Sequence, residues 1–205
     1  VTAAEPGRGD RRVLRVSTAA VVAVGLVLAL VAARDEPVEL LFYFTVQVNL
    51  AYLVVLLAGG GDRLRTALTV YLVGTAVVFV LVLANPWSRY AMVANADARG
   101  TISDAGNLLL HVVAPPLAAA HWLSRRPRVA LRPAYAVGLL GYPLVWLTVI
   151  LLRGALKGGE DRYLYPFLDV PRLGYPTVAL NAVLFAVSLL VIALTAVHLT
   201  RRHAR

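Results

Sequence analysis

Six runs of about twenty apolar residues, separated by short charged or glycine-rich stretches, constrain this chain more than any other feature. Windows of about 19 residues place them at approximately Leu14–Ala33, Glu39–Ala58, Thr66–Ala84, Asp104–Leu123, Ala134–Leu152 and Pro176–Leu199. Twenty residues of α-helix rise about 30 Å, the thickness of the hydrocarbon core of a bilayer. Backbone in hydrocarbon must satisfy its own N–H and C=O groups, which selects helix for such runs. The composition agrees: 60% of residues are hydrophobic and 15% charged, against about half and a quarter in a soluble domain. The expected fold is therefore all-α, a polytopic integral membrane protein built as one bundle of six transmembrane helices. Residues 14–199 form that domain, between a cytoplasmic N-terminal segment at 1–13 and a basic cytoplasmic tail at 200–205. The first run is too long, and lacks the small-residue cleavage site, to read as a signal peptide.

Basic residues set the orientation. Both termini and the loops after the second and fourth runs carry 13 Lys and Arg, the opposite loops 7. The richer side faces the cytoplasm, so both termini are expected inside. The outer loops Asn85–Ser103 and Arg153–Tyr175 are the long ones, where binding surfaces tend to lie.

Several function classes fall away. Without cysteine there is no disulfide framework, thiolate nucleophile or Cys-bearing metal site. The net charge of +9 is spread between apolar runs rather than gathered on a patch, and no nucleic-acid-binding motif occurs. His111 and His121 lie about 280° apart around one helix, too far round to share a metal. The two halves of the chain do not repeat, which disfavours a transporter of paired halves.

Inside the runs, two polar side chains stand out. Thr45 lies six residues into the second run and His111 seven into the fourth. Both runs enter from the outer side, so the two sit roughly 9–10 Å deep in the same leaflet half. An ionisable side chain at that depth is a functional-site candidate by default, because hydrocarbon penalises it. Asn49 follows Thr45 by one turn and Asn107 precedes His111 by one, so each shares a helix face with its partner. Gln47 points to another side. Pro115 and Pro116 cannot donate to the carbonyls of His111 and Val112. Freed backbone at that depth implies a cavity beside His111.

A histidine base can activate a threonine hydroxyl for attack on an acyl carbonyl. Asn107 could hold the imidazole and Asn49 donate to the oxyanion. The bland alternative is that threonine and asparagine simply join helices by hydrogen bonds, as Thr66, Thr69 and Thr148 also could. His121 and His198, near the cytoplasmic ends, read as interfacial. A proton-coupled carrier or a non-enzymatic lipid-binding protein would also tolerate an intramembrane histidine.

The chain resembles the androgen-induced-protein family of six-span membrane proteins. The likeness rests on Phe44-Thr45, on Asn107…His111…Pro116, on Gly141-Tyr142 with Trp146, and on Tyr165-Pro166-Phe167-Leu168-Asp169. Animal members are threonine hydrolases that split fatty-acid esters of hydroxy fatty acids. The resemblance implies Thr45 as nucleophile and His111 as base, with Tyr165 and Asp169 shaping the entrance. It also implies a lipid-like ester drawn from membrane lipids, no cofactor, and a multi-pass place in a bacterial plasma membrane. Leu108, Val112 and Val113 depart from the animal pattern around the histidine, and Gln47 and Asn49 are a variant of the second run.

Overall fold

The computed structural model describes residues 7–92, 98–125, 129–159 and 162–203. Parts of the N-terminal segment, the Asn85–Ser103 loop, the basic loop after the fourth run and the tail lie outside those residues. All regular elements among the described residues are helical. They are α1 (Arg8–Ala32), α2 (Phe44–Ala58), α3 (Asp62–Val78), α4 (Ala98–Leu108), α5 (Ala114–Ser124), α6 (Pro133–Gly138), α7 (Gly141–Leu156) and α8 (Val170–His203). Four helical stretches are long and apolar enough to cross a membrane: Gly9–Ala32, Asp62–Leu83, Pro133–Leu156 and Val170–Arg202. Their outward faces carry Val24, Val27, Val80, Val145, Val187 and Val191, each about half exposed or more. Such a surface suits contact with lipid better than contact with water.

The second and fourth runs depart from straight helices. Residues Pro37–Phe42 form a 3₁₀ turn and Tyr43 is extended, so α2 begins at Phe44 and has 15 residues. The expected helix start at Glu39 is thus corrected. The Glu39 carboxylate is engaged by Arg153 and by Lys157 (2.9 Å) from the far end of α7, which ties the 3₁₀ turn to α7 rather than to α2. In the fourth run α4 and α5 are joined by a π turn, Leu109–Val113. Pro115 and Pro116 open α5 without N–H groups to offer, and the chain answers by widening the turn just before them. A second π turn, Phe79–Leu83, ends α3, with the Ala84 N–H donating to the Phe79 carbonyl at 2.7 Å. The two π turns meet.

Packing is closest where side chains are smallest. α1 lies along α4, with Gly25 facing Leu110; a Cβ at Gly25 would stand 2.6 Å from Leu110 Cδ2. α3 sits centrally against α2, α5 and α8, and α6 packs on α8. α7, by contrast, barely meets α8 along the backbone. One apolar core surrounds Tyr52, Leu72 and Trp122 toward the end of the bundle where α2 passes into α3, and another surrounds Ile150, Phe167 and Leu168 toward the opposite end. Gly174 (φ 74°, ψ 154°) breaks the first turn of α8 from its long remainder, a conformation open to glycine and little else. The straight part of that helix therefore begins near Pro176, where the sequence placed the sixth run.

Candidate catalytic site

The first turn of α2 carries Thr45, and the π turn of the fourth run carries His111. The structure brings them together: Thr45 Oγ1 lies 2.9 Å from His111 Nε2. Both residues are buried, at 7% and 8% exposure. The other ring nitrogen, Nδ1, lies 3.1 Å from the backbone carbonyl of Asn107. A carbonyl can only accept, so Nδ1 carries the proton and Nε2 presents its lone pair to the threonine O–H. That is the tautomer a general base requires. The Phe79 ring stacks on the imidazole, with centroids 4.3 Å apart and planes 20° from parallel. Each π turn thus supplies one of the two stacked rings and fixes the plane in which His111 can lie.

Tyr165 completes the group. It is buried, with its ring edge-on to Tyr43 and Trp146. Burial, helped by the neighbouring Tyr43, pushes its phenol pKa up, against the smaller opposing influence of the Phe44 backbone and the Thr45 side chain. The phenol accordingly stays protonated and remains a donor beside the threonine. Trp146 Nε1 donates to the Phe42 carbonyl at 2.9 Å, anchoring the chain just ahead of Thr45.

The three groups open onto a cavity of about 240 Å³ between α3, α7, α8 and the Tyr165–Leu168 segment. Apart from Thr45, His111 and Tyr165, its walls are mainly aliphatic and aromatic. Leu144 of α7 and Ser188 of α8 both line it and both are exposed, so it opens sideways between those helices.

The remaining expected site residues do other work. Asn49 is fully buried, and its Nδ2 donates to the Thr45 carbonyl at 2.9 Å, so the amide braces α2 and does not face the cavity. Asn107 holds His111 through its main-chain carbonyl, not its side chain. Gln47 bonds the Leu41 carbonyl and accepts from the Tyr142 hydroxyl, linking α2 to α7 away from the cavity. The Asp169 carboxylate accepts from the Arg172 N–H at 3.4 Å at the start of α8, and is not part of the entrance. His121 is 2% exposed and pairs through Nδ1 with the Tyr52 hydroxyl at 3.3 Å, a buried position rather than an interfacial one. His198 is exposed. Sequence reasoning missed Phe79, whose stacking depends on two turns far apart in the chain. Among the described residues no group of His, Asp or Glu side chains could hold a metal ion.

Comparison with protein-family models, with curated proteins and with solved structures gives no match. The geometry of the site has to carry the functional reading.

Proposed function

We propose that this protein is an intramembrane lipid-ester hydrolase with Thr45 as nucleophile and His111 as general base. The observation that carries the reading is the 2.9 Å approach of Thr45 Oγ1 to a histidine whose other nitrogen is held by a carbonyl. A buried pair of this kind at the edge of an apolar, sideways-opening cavity suits an acyl substrate that arrives through the bilayer.

In the proposed reaction, Nε2 takes the hydroxyl proton as Oγ1 attacks the acyl carbon. The oxyanion of the tetrahedral intermediate accepts a hydrogen bond from the Tyr165 phenol. The ester C–O bond then breaks and the departing alkoxide takes the proton from Nε2. Water attacks the acyl-threonine with Nε2 again accepting a proton. Collapse expels Oγ1, which recovers its proton, and the carboxylic acid leaves. No step in this scheme calls for a cofactor.

Six membrane passages with both termini cytoplasmic, in a bacterial plasma membrane, remain part of the proposal. In that topology α2 with its 3₁₀ turn, and α4 with α5, supply the two passages beyond the four long stretches. Kinship with the androgen-induced-protein family is also proposed, on the strength of the residues named above.

A fluorophosphonate probe tests the assignment. Labelling of membranes containing the wild-type protein, lost in both Thr45→Ala and His111→Ala, is the expected result. Label retained in Thr45→Ala would remove the nucleophile. A carrier would instead move solute across proteoliposomes without labelling.

A further inference from the structure

The cavity has a shape as well as a chemistry. Along α8 it runs from Ala182 to Ile192, and along α3 and the π turn that ends it from Leu83 to Tyr71. These two helices run in opposite directions, so both stripes descend from the same end toward the middle of the bundle. The stretch on α8 corresponds to about 15 Å at the rise of an α-helix. No charged side chain lines it.

The catalytic pair enters this slot part-way down. His111 is stacked on Phe79, eight positions along α3 from Tyr71, which leaves roughly 12 Å of slot beneath it. Tyr71 closes the lower end. Its ring is buried, stands 5.8 Å from that of Phe44 and 5.6 Å from that of Tyr142, and its hydroxyl donates to the Leu139 carbonyl at 2.8 Å. Leu139 lies at the break between α6 and α7, so this bond holds the ring from below while the other two rings hold it from the side. Between the pair and Tyr71 the slot passes Gly74. A Cβ there would stand 3.0 Å from Leu189 Cδ1 on the facing helix, so Leu189, which also lines the slot, packs directly on Gly74. A larger side chain at position 74 would push Leu189 aside and narrow the slot that both residues line.

From this geometry we infer that the slot below Thr45 is a ruler for one uncharged acyl chain, with Gly74 in its wall and Tyr71 as its floor. The inference rests on the hydrolase reading for the placement of the acyl carbon, and deepens it by naming the acyl group. The depth admits an extended chain of about ten carbons. Longer chains have to bend out through the opening between α7 and α8, and gain nothing further from the slot.

The test uses binding as well as turnover. Native mass spectrometry of the full-length protein would follow the uptake of free fatty acids of 6, 8, 10, 12, 14 and 18 carbons. Affinity in the wild type is expected to climb to about ten carbons and then level off, since each further methylene is no longer buried. Gly74→Leu should lower the affinity for the ten-carbon acid relative to the six-carbon acid by about tenfold or more, the loss of several buried methylenes. Tyr71→Ala should move the levelling point to longer chains. Tyr71→Phe, which keeps the ring and loses only the bond to Leu139, covers the case in which the alanine variant does not fold; it should blur the levelling point. A wild-type affinity rising unbroken to 18 carbons, or an unchanged ten-to-six ratio in Gly74→Leu, would overturn the ruler. Parallel assays with nitrophenyl esters, wild type against Thr45→Ala, report on catalysis separately. A chain-length cut-off without Thr45-dependent turnover keeps the ruler and discards the hydrolase; turnover with a flat binding profile does the reverse.

Discussion

At the scale of single residues, the arrangement turns on which proton His111 carries. The Asn107 carbonyl fixes it on Nδ1, and any residue at position 107 would supply the same acceptor. The asparagine side chain was therefore a misleading signal, whereas the depths of Thr45 and His111 were informative. Depth could be counted from the ends of two apolar runs, because rise per residue is nearly constant in a helix. Tyr165 and Phe79 could not be placed that way: one comes from a loop and the other from a turn whose register shifts by a residue. On the proposed mechanism, Tyr165→Phe removes the oxyanion donor while keeping the ring against Tyr43 and Trp146. Its kcat should fall about a hundredfold with little change in KM, as for the loss of one such donor elsewhere. Steady-state kinetics in nanodiscs would measure it.

At the scale of elements, the two π turns are the features that set His111 against Thr45. The sequence signalled one of them, since consecutive prolines after a histidine leave its carbonyl without a helical donor. The other, at Phe79–Leu83, is followed by a single proline, Pro86, rather than a consecutive pair, and became legible only in three dimensions. Helix α1 contributes by close approach. Its Gly25 allows Leu110, the immediate neighbour of His111, to lie flat against it. Gly25→Leu would force α1 and α4 apart at that level, at a cost of about 1–3 kcal/mol for overpacking. A lowered unfolding temperature in detergent, together with reduced labelling by the fluorophosphonate probe, is the expected outcome.

At the scale of the molecule, one charge cluster ties the 3₁₀ turn ahead of α2 to the far end of α7. Arg153 and Lys157 hold the Glu39 carboxyl below its ordinary value of 4.5, chiefly through their hydrogen bonds to it. A carboxyl with a lowered folded-state pKa stabilises the fold above its unfolded value, and that contribution disappears as pH falls through the lowered pKa. Glu39 is about a quarter exposed, so the effect is modest. Unfolding temperatures of wild type and Glu39→Gln should differ at pH 7 and begin to converge once the pH falls below the ordinary value of 4.5. Hydropathy and charge bias gave the helical class and the long stretches. They did not reveal that α2 would be short, because the ion cluster that captures Glu39 joins residues more than a hundred positions apart.

The gap between α7 and α8 has one more consequence. On the proposed reading that mouth faces hydrocarbon, and the leaflet itself becomes the reservoir from which a substrate reaches the threonine, so the relevant concentration is per unit area of membrane. Inhibitors would then rank by how strongly they partition into lipid before they rank by fit. The same compound would look weaker whenever more bilayer is added at constant dose.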